Sequence, residues 1–379
     1  MLDLLQTAFN LNNHGSISSY WMLMVWIFLG GLILSYLPKH TLVVNGRPKE
    51  CWYWISAILL TLPLVLWATF RSGFGDSLSY ALIFRRSPAT FEELWLYLSS
   101  NDVDKGFYTL ITLLKVMGVE SYLMFFFVVA AVQMWCMIYT FRKYGHNFWL
   151  CIFLFLASTD YMSWMFNGIR QFIAVCIIFA GFGLLVRRRY IAHIALVLLA
   201  STFHGSALLM IPLGYIMLGP AFNRKTMLAI IATIAVVPFI DDFLPFLEAA
   251  LMDTQYNDIL GNSVWANDDG TNIIRVLVYS VPALLALFGR RYIQRANNPA
   301  MNLCINASVL TMVIYLVSSV TSGIYIGRIP IYTTLHGYMV LPWIIDQIFE
   351  QQTARVIKFA MVVCYVGFFV FQMNQWGLL

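Results

Sequence analysis

The 29-residue stretch YIAHIALVLLASTFHGSALLMIPLGYIML, residues 190–218, decides the membrane topology of this chain. It is too long for one ordinary membrane span, which takes about 20 apolar residues, and short for two. Three arginines at 187–189 precede it, and Arg224 and Lys225 follow it. The positive-inside rule favours a turn at His204 and Gly205, because a turn places both basic clusters on the cytoplasmic side.

The composition indicates an integral membrane protein. Of the 379 residues, 60% are hydrophobic and only 11% are charged, whereas a soluble domain carries roughly 25% charged residues. The pI of about 8.8 is not a nucleic-acid signal, because the excess basic residues lie in short loops between apolar segments. The N-terminus lacks the basic n-region of a cleavable signal, so we expect none. The six cysteines lie in or beside apolar runs, which favours small core residues over disulfides or a metal cluster.

The apolar segments predict an all-α, polytopic membrane protein with twelve passes. Besides the two arms that meet at His204, we predict spans at residues 17–37, 51–70, 121–141, 147–165, 169–186, 226–240, 273–289, 300–323, 329–346 and 356–373. The loops on one side then hold 15 of the 23 basic residues and three of the 18 acidic residues, which makes that side cytoplasmic. Both termini are extracytoplasmic in this topology. Residues 1–379 form a single membrane domain with large extracytoplasmic segments at 71–120 and 241–272, and residues 107–117 predict an amphipathic helix on the membrane surface.

His204 is the first candidate for chemistry. Each arm beside it has about 14 residues, roughly 21 Å of helix, which is shorter than the roughly 30 Å apolar layer. We therefore expect His204 to lie below the outer membrane surface, because broken helices at membrane depth occur only where protein or a water-filled cavity surrounds them. A histidine there can act as a neutral base near pH 7 or can simply pack and donate one hydrogen bond, and the sequence leaves both open.

Four arginines on the predicted extracytoplasmic side are candidates for binding a diphosphate. Arg170 and Arg275 lie about one turn inside the outer ends of their predicted helices, Arg328 lies in a short link, and Arg71 directly follows a span. Arginine keeps its charge and presents a planar fork of donors that matches phosphate, and a helix N-terminus adds free N–H groups. Snorkelling to lipid head groups or pairing with a nearby Asp would also explain each arginine.

Asn167 and Gln171 accompany Arg170 in the motif FNGIRQ, residues 166–171. Two amides beside a permanent charge at the mouth of an apolar helix make Arg170 the first choice for the diphosphate contact. We expect Arg170 and His204 to face the same extracytoplasmic cavity.

The acidic candidates are less specific. Asp76 follows Gly75 and can hold a sugar hydroxyl, act as a competing general base, or cap a helix. Asp102 and Asp104 form an Asp-x-Asp pattern that holds metals in some glycosyltransferases, but two acids occur easily in an acidic loop and can cap the following helix. We expect no metal and no cofactor. The chain also lacks the motifs of nucleotide hydrolysis and proteolysis.

Several short motifs together resemble the EpsG/Wzy-like family of polysaccharide polymerases, which make O-antigen, capsule and exopolysaccharide. They are Arg71 with Gly75-Asp76 and Tyr80, Asn167-Gly168-Ile169-Arg170-Gln171 with Ala174, His204-Gly205-Ser206-Ala207, and Arg328 with Tyr332. The resemblance extends in spacing over nearly the whole chain. It implies a fold similar to lipid-sugar glycosyltransferases of the GT-C type. It also implies a metal-independent polymerase in the bacterial cytoplasmic (inner) membrane, which transfers a growing glycan from undecaprenyl diphosphate to the non-reducing end of a lipid-linked repeat unit on the extracytoplasmic side.

The candidate residues fall into two sets by expected role. The catalytic set is His204, Arg170 and Asp76, and the substrate-binding set is Arg71, Arg275, Arg328, Gln171, Asn167, Tyr80 and Tyr332. The partners it implies are undecaprenyl-diphosphate-linked oligosaccharides, membrane lipids, and a chain-length regulator and flippase of the same pathway, with no nucleic acid. The alternatives are a flippase or transporter of lipid-linked oligosaccharide, a ligase, a single-sugar transferase with a lipid-phosphate donor, and a membrane O-acyltransferase. A transporter predicts internal repeats and charges near the bilayer midplane, and the sequence shows no convincing repeat.

Overall fold

The computed structural model describes residues 17–44, 46–71, 75–100, 104–239, 270–321, 323 and 326–377. The elements before the middle of the chain are α1 (Ile17–Ser35), β1 (Lys39–Val44), β2 (Arg47–Trp52), α2 (Trp54–Phe70), α3 (Ser77–Arg86), α4 (Phe91–Ser100), α5 (Lys105–Val116), α6 (Tyr122–Tyr144), α7 (Phe148–Ala157), α8 (Asp160–Met162) and α9 (Ile169–Ala180). Those that follow are α10 (Phe182–Val186), α11 (Tyr190–Ser201), α12 (Met210–Met217), α13 (Arg224–Val236), α14 (Ile273–Phe288), α15 (Arg290–Ala296), α16 (Pro299–Ser318), α17 (Ile331–Ile348) and α18 (Gln351–Gln375).

The chain forms two compact units. The first unit comprises Met1–Ala180 with Phe359–Leu379, and the second comprises Gly181–Lys358. Helix α7 is the centre of the first unit, since all ten of its residues are buried. A helix that is apolar on every side belongs in an interior, because no face of it gains from exposure to water.

A sharp bend after α7 positions one of the predicted motifs. Helix α7 and the helical segment Asp160–Asn167 meet at 77°, so the span predicted at 147–165 is not one straight helix but a broken span or a re-entrant segment. Thr159 occupies the left-handed region with φ 67° at the bend, a conformation that no straight helix contains. The segment ends in the π-helical turn Ser163–Asn167, and α9 begins at Ile169, as predicted.

The turn predicted near His204 is confirmed in the second unit. Helix α11 ends at Ser201, a 3₁₀ helix runs over Gly205–Leu209, and α12 follows. The two arms lie side by side, because the Tyr190 hydroxyl donates to the Ile211 carbonyl and His193 Nε2 lies 3.1 Å from the Met210 carbonyl oxygen. His193 is therefore a packing histidine of this helix pair, which agrees with its exclusion from the candidate site.

Helices suited to crossing a membrane occur in both units. Four are long and apolar enough, namely Tyr122–Tyr144, Ile169–Val186, Pro299–Ser318 and Gln351–Gln375, and the two bent pairs raise the number to six. Shorter apolar helices occupy the predicted spans near Tyr20–Ser35, Trp54–Phe70, Tyr190–Ser201 and Gly205–Met217. The structure thus supports a polytopic helical membrane protein, while the twelve passes and the GT-C resemblance stay predictions.

Two segments between the predicted spans contain regular structure. Residues 38–50 are not a plain loop, because β1 and β2 form an antiparallel hairpin in the register Lys39↔Trp52 to Val44↔Arg47, so the fold is not strictly all-α. The sequence Asn45-Gly46 is a typical signal for a two-residue hairpin turn, and Gly46 has the positive φ, 77°, that such a turn requires. Helix α2 consequently begins at Trp54 and not at residue 51.

The segment 71–120 contains three helices, α3, α4 and α5, of which the last confirms the amphipathic helix predicted at 107–117. The segment predicted at 241–272 lies almost wholly outside the described residues.

Candidate functional site

Arg71 is a buried cation in the first unit. It follows the last residue of α2 and is only 6% exposed. Its Nη1 donates to the Met165 carbonyl oxygen at 2.7 Å, and its guanidinium lies 3.9 Å from the centre of the Phe126 ring. Its Nε and Nη2 are buried and form no hydrogen bond with the described residues, and none of the described acids pairs with it.

The charge of Arg71 is therefore poorly compensated by the protein. Burial lowers the pKa of its guanidinium to about 9, so the group is still a cation at neutral pH. A buried charge without a counter-ion is strongly destabilised relative to water. Two open donors on one planar cation suit a phosphate group, which would supply both the missing charge and the missing hydrogen-bond acceptors.

Arg170 has a different environment, although it belongs to the same unit. As predicted, it lies in the first turn of an apolar helix, α9, where it is 4% exposed. Its Nη1 donates to Asp104 Oδ2 in an ion pair whose side chains are 4% and 1% exposed. The guanidinium also lies 5.8 Å from the centre of the Phe107 ring. Arg170 is thus paired with an acid, while its role as a diphosphate contact stays a prediction.

The side chain of Asp104 has neither of the roles considered from the sequence, a metal ligand or a helix cap, because it pairs with Arg170. It occupies the position before α5, where it was expected to cap, but its side chain makes no capping hydrogen bond and reaches Arg170 instead. Its backbone adopts the left-handed conformation with φ 54°, which is uncommon for a residue other than glycine. Asp102 lies outside the described residues, and those that are described contain no group of three or more potential metal ligands.

Asn167, in the motif at residues 166–171, contacts the motif that contains Gly75 and Asp76. Its Oδ1 accepts a hydrogen bond from the Asp76 backbone N–H at 3.1 Å. Gly75 has φ 54°, and a Cβ on Gly75 would overlap the Asn167 carboxamide. Only glycine satisfies both the backbone conformation and the close approach. The side chain of Asp76, which lies at the start of α3, makes no capping hydrogen bond, so its carboxylate is left at the surface beside this contact.

Tyr80 and Gln171 complete the candidates of the first unit, and both are buried, at 5% and 6% exposure. Tyr80 lies one turn after Asp76, and its ring packs edge-on against Phe107, 6.1 Å between ring centres. Phe107 also lies beside the Arg170 guanidinium, so this ring contacts both the motif that contains Tyr80 and the motif that contains Arg170.

In the second unit, His204 belongs to a chain of three polar side chains. Its Nδ1 lies 2.7 Å from Ser206 Oγ, and Ser206 Oγ lies 2.9 Å from the Tyr332 hydroxyl. The Ser206 backbone N–H also points at Nδ1, at 3.3 Å. His204 is partly buried, whereas Ser206 and Tyr332 are buried. The structure thus connects two motifs that the sequence separates by more than one hundred residues.

The two arginines predicted in the second unit occupy helix ends. Arg275 lies in the first turn of α14, half-buried, with the rings of Tyr279 and Tyr315 at 5.5 and 6.0 Å. Arg328 ends the 3₁₀ turn Ile326–Arg328 and is exposed.

The candidate residues therefore form two groups. Arg71, Asp76, Tyr80, Asn167, Arg170 and Gln171 belong to the first unit, and His204, Arg275, Arg328 and Tyr332 belong to the second. The expectation that Arg170 and His204 face one cavity concerns both units, and it stays a prediction.

Comparison with protein families identifies the class of this protein. The model of the EpsG family matches residues 54–375, which is most of the chain and includes all of the candidate residues. The protein belongs to the EpsG family, in agreement with the resemblance found in the sequence motifs. Membership indicates a role of the polysaccharide-polymerase type in a membrane. No curated protein and no solved structure matches the chain.

Proposed function

We propose that this EpsG-family protein is a metal-independent glycosyltransferase that polymerises lipid-linked oligosaccharides on the extracytoplasmic side of the inner membrane. The growing glycan would leave undecaprenyl diphosphate and join the non-reducing end of a second lipid-linked repeat unit. The observation that carries this proposal is Arg71, a buried cation with two open donors and no described acid beside it. Such a group suits an anionic ligand more than it suits the folded protein alone.

The chemistry of the leaving group explains why arginine is useful here. As the glycosidic bond breaks, negative charge accumulates on the diphosphate oxygen that held the glycan. Fixed cations aimed at that oxygen lower the barrier most when the site excludes water. Arg71 meets this requirement, and Arg170, which is held by Asp104, adds a second cation to the same unit.

Asp76 is the proposed contact for a sugar hydroxyl. Its backbone is held by Asn167 through a 3.1 Å hydrogen bond, and Gly75 allows that close approach. Its carboxylate is exposed and does not cap α3, so it can accept a hydrogen bond or a proton from a hydroxyl group.

For His204, the tautomer decides between two roles. If Nδ1 carries the proton, it donates to Ser206 Oγ, and Nε2 is then the basic nitrogen that can accept the proton of the attacking hydroxyl. If Ser206 donates to Nδ1 through its N–H and Oγ–H, Nε2 carries the proton and acts as a donor to a bound oxygen. The structure has the second arrangement, because the Ser206 N–H points at Nδ1 and Nδ1 is therefore the acceptor. The base role requires the first arrangement, in which this N–H no longer bonds Nδ1, and we propose that state for the reaction, with Ser206 and Tyr332 orienting the ring.

The test is a reconstitution in liposomes with a synthetic repeat unit on undecaprenyl diphosphate and without a nucleotide sugar. A polymerase produces a ladder of longer glycans on a gel. A flippase instead moves the intact lipid between leaflets and produces no ladder, and that result would refute the proposal. Arg85→Gln is a suitable control variant, because Arg85 is exposed and its charge lies over the Tyr122 ring, outside the contacts described above.

A further inference from the structure

The first unit contains a polar cavity beside the β-hairpin. We call it the hairpin cavity; it has a volume of about 300 Å³ and lies between β1, β2, the end of α6 and the start of α7. The side chains that matter for its chemistry are Lys39, Lys49, Glu50, Arg142 and His146. Three of these are permanent cations at neutral pH and only one is an acid. None of them belongs to the candidate polymerase site.

Arg142 is the buried cation of the hairpin cavity. It is 5% exposed, and its Nε and Nη2 both donate to the Trp52 carbonyl oxygen, at 2.8 and 2.5 Å. The guanidinium lies 4.1 Å from the centre of the Trp54 ring. Its Nη1 makes no hydrogen bond to the part of the chain that the structure describes, and no acid there pairs with it. The bonds to Trp52 fix the plane of the guanidinium and leave its charge uncompensated.

The start of α7 supplies backbone donors to the same cavity. Phe148 and Trp149 are the first two helical residues and line the cavity. The first N–H groups of a helix have no carbonyl four residues earlier to bind. Asn147 caps only the third, because its side chain accepts from the Leu150 N–H at 3.4 Å. The N-terminal end of a helix favours an anion, and the first two residues of α7 line the same cavity as the buried guanidinium of Arg142.

Two lysines and one glutamate complete the charged lining of the cavity. Lys39 is about one-third exposed and lies 3.9 Å from Glu50, whose side chain is mostly exposed. At that distance Glu50 weakens the positive field without fully neutralising Lys39. Lys49 donates to the Gly145 and Arg142 carbonyl oxygens, at 2.5 and 3.3 Å, and so holds the hairpin against the end of α6.

We propose that the hairpin cavity binds a phosphate group, presented either by the headgroup of an anionic lipid or by a soluble phosphate ester. A planar guanidinium, an ammonium group and free helix N–H groups together match the oxygens of a phosphate. Exposed apolar side chains occur on the same segments, since Tyr36 follows the lining residue Ser35 and Val43 lies on β1, at 89% and 75% exposure; exposed apolar and aromatic side chains are typical of a membrane interface. The hairpin cavity is separate from the proposed polymerase site, because none of its lining residues is a candidate residue of that site.

The test uses the purified full-length protein and two probes. In the first arm, the protein is extracted from nanodiscs of phosphatidylglycerol mixed with phosphatidylcholine, and retained lipid is measured by native mass spectrometry. In the second arm, thermal unfolding in phosphatidylcholine is followed with inorganic phosphate against sodium chloride at equal ionic strength. Selective retention of phosphatidylglycerol identifies a lipid source, and stabilisation by inorganic phosphate alone identifies a soluble one. Binding of neither probe would overturn the proposal.

Three variants connect the binding to this cavity. Lys39→Gln removes a partly exposed cation and should weaken binding about five-fold, the effect of one basic residue near a charged surface. Glu50→Gln removes the competing acid and should strengthen binding. Arg355→Gln removes an exposed charge that does not line the cavity and should leave binding unchanged. Equal losses in Lys39→Gln and Arg355→Gln would show non-specific attraction and would overturn the proposal.

Discussion

Replacing Arg71 by methionine should slow polymerisation by roughly two orders of magnitude without unfolding the protein. Methionine has a similar length, so it can fill the space beside Phe126 without the charge. If Arg71 contacts the diphosphate, the variant loses a buried charge pair in the transition state. Such a loss amounts to about 3 kcal/mol, which is roughly a 150-fold fall in kcat/KM.

The free energy of unfolding should fall little or not at all in this variant, whereas an ordinary substitution of a buried residue lowers it. The variant loses the bond to Met165 and the contact with Phe126, worth about 1.5–3 and 1–2 kcal/mol. It also removes a buried cation without a counter-ion, whose desolvation costs several kcal/mol. These terms nearly cancel, so the free energy of unfolding should change by less than about 1 kcal/mol or should increase.

Both quantities can be measured on the same preparation. The glycan ladder gives the rate per folded molecule, and tryptophan fluorescence during thermal unfolding in detergent gives the stability, with Arg85→Gln as the matched control. Near-wild-type polymerisation by Arg71→Met would refute the diphosphate role. A loss of more than about 2 kcal/mol in stability together with normal specific activity would show that Arg71 is structural.

Three further predictions concern the other contacts. Asp104→Ala and Arg170→Ala should each lower the free energy of unfolding by about 3 kcal/mol, because each removes one partner of a buried ion pair. The double variant should lose less than the sum, and additive losses in a double-mutant cycle by chemical denaturation would contradict the pair. Gly75→Ala should destabilise the protein by about 1–2 kcal/mol and slow ladder formation, because φ at residue 75 is 54° and the new Cβ would overlap the Asn167 carboxamide. An unchanged midpoint of unfolding would argue against this geometry. Ser206→Ala should lower kcat about ten-fold with little change in KM if it orients His204 as a base, whereas a raised KM with normal kcat in steady-state assays would favour the donor role of His204.

Several features followed from the sequence because they depend on local patterns. Long apolar segments and few charges are enough to predict membrane helices, since each span must satisfy its backbone internally. The turn near His204 followed from the distribution of arginines and lysines around it, and α11 and α12 confirm it. The motif around Arg170 was correctly placed at the beginning of a helix because the polar residues interrupt an apolar run there.

Other features escaped prediction for physical reasons. The bend after α7 depends on Thr159 adopting a left-handed backbone that its residue type does not signal. The hairpin was missed although residues 45–46 carry the Asn-Gly turn signal, because a short polar connection between spans was expected there. Asp104 was considered only as a metal ligand or a cap, and nothing local shows that it meets a residue 66 positions away.

The sequence by itself determined that this is a polytopic membrane protein with a broken helix pair at His204, because hydropathy and charge distribution act locally along the chain. It also contained the motifs that indicate the EpsG family. Only the tertiary structure decided that Arg170 is paired with an acid while Arg71 has open donors. That difference depends on which side chains fold against each guanidinium, and contacts between distant segments are not written in the spacing of either motif.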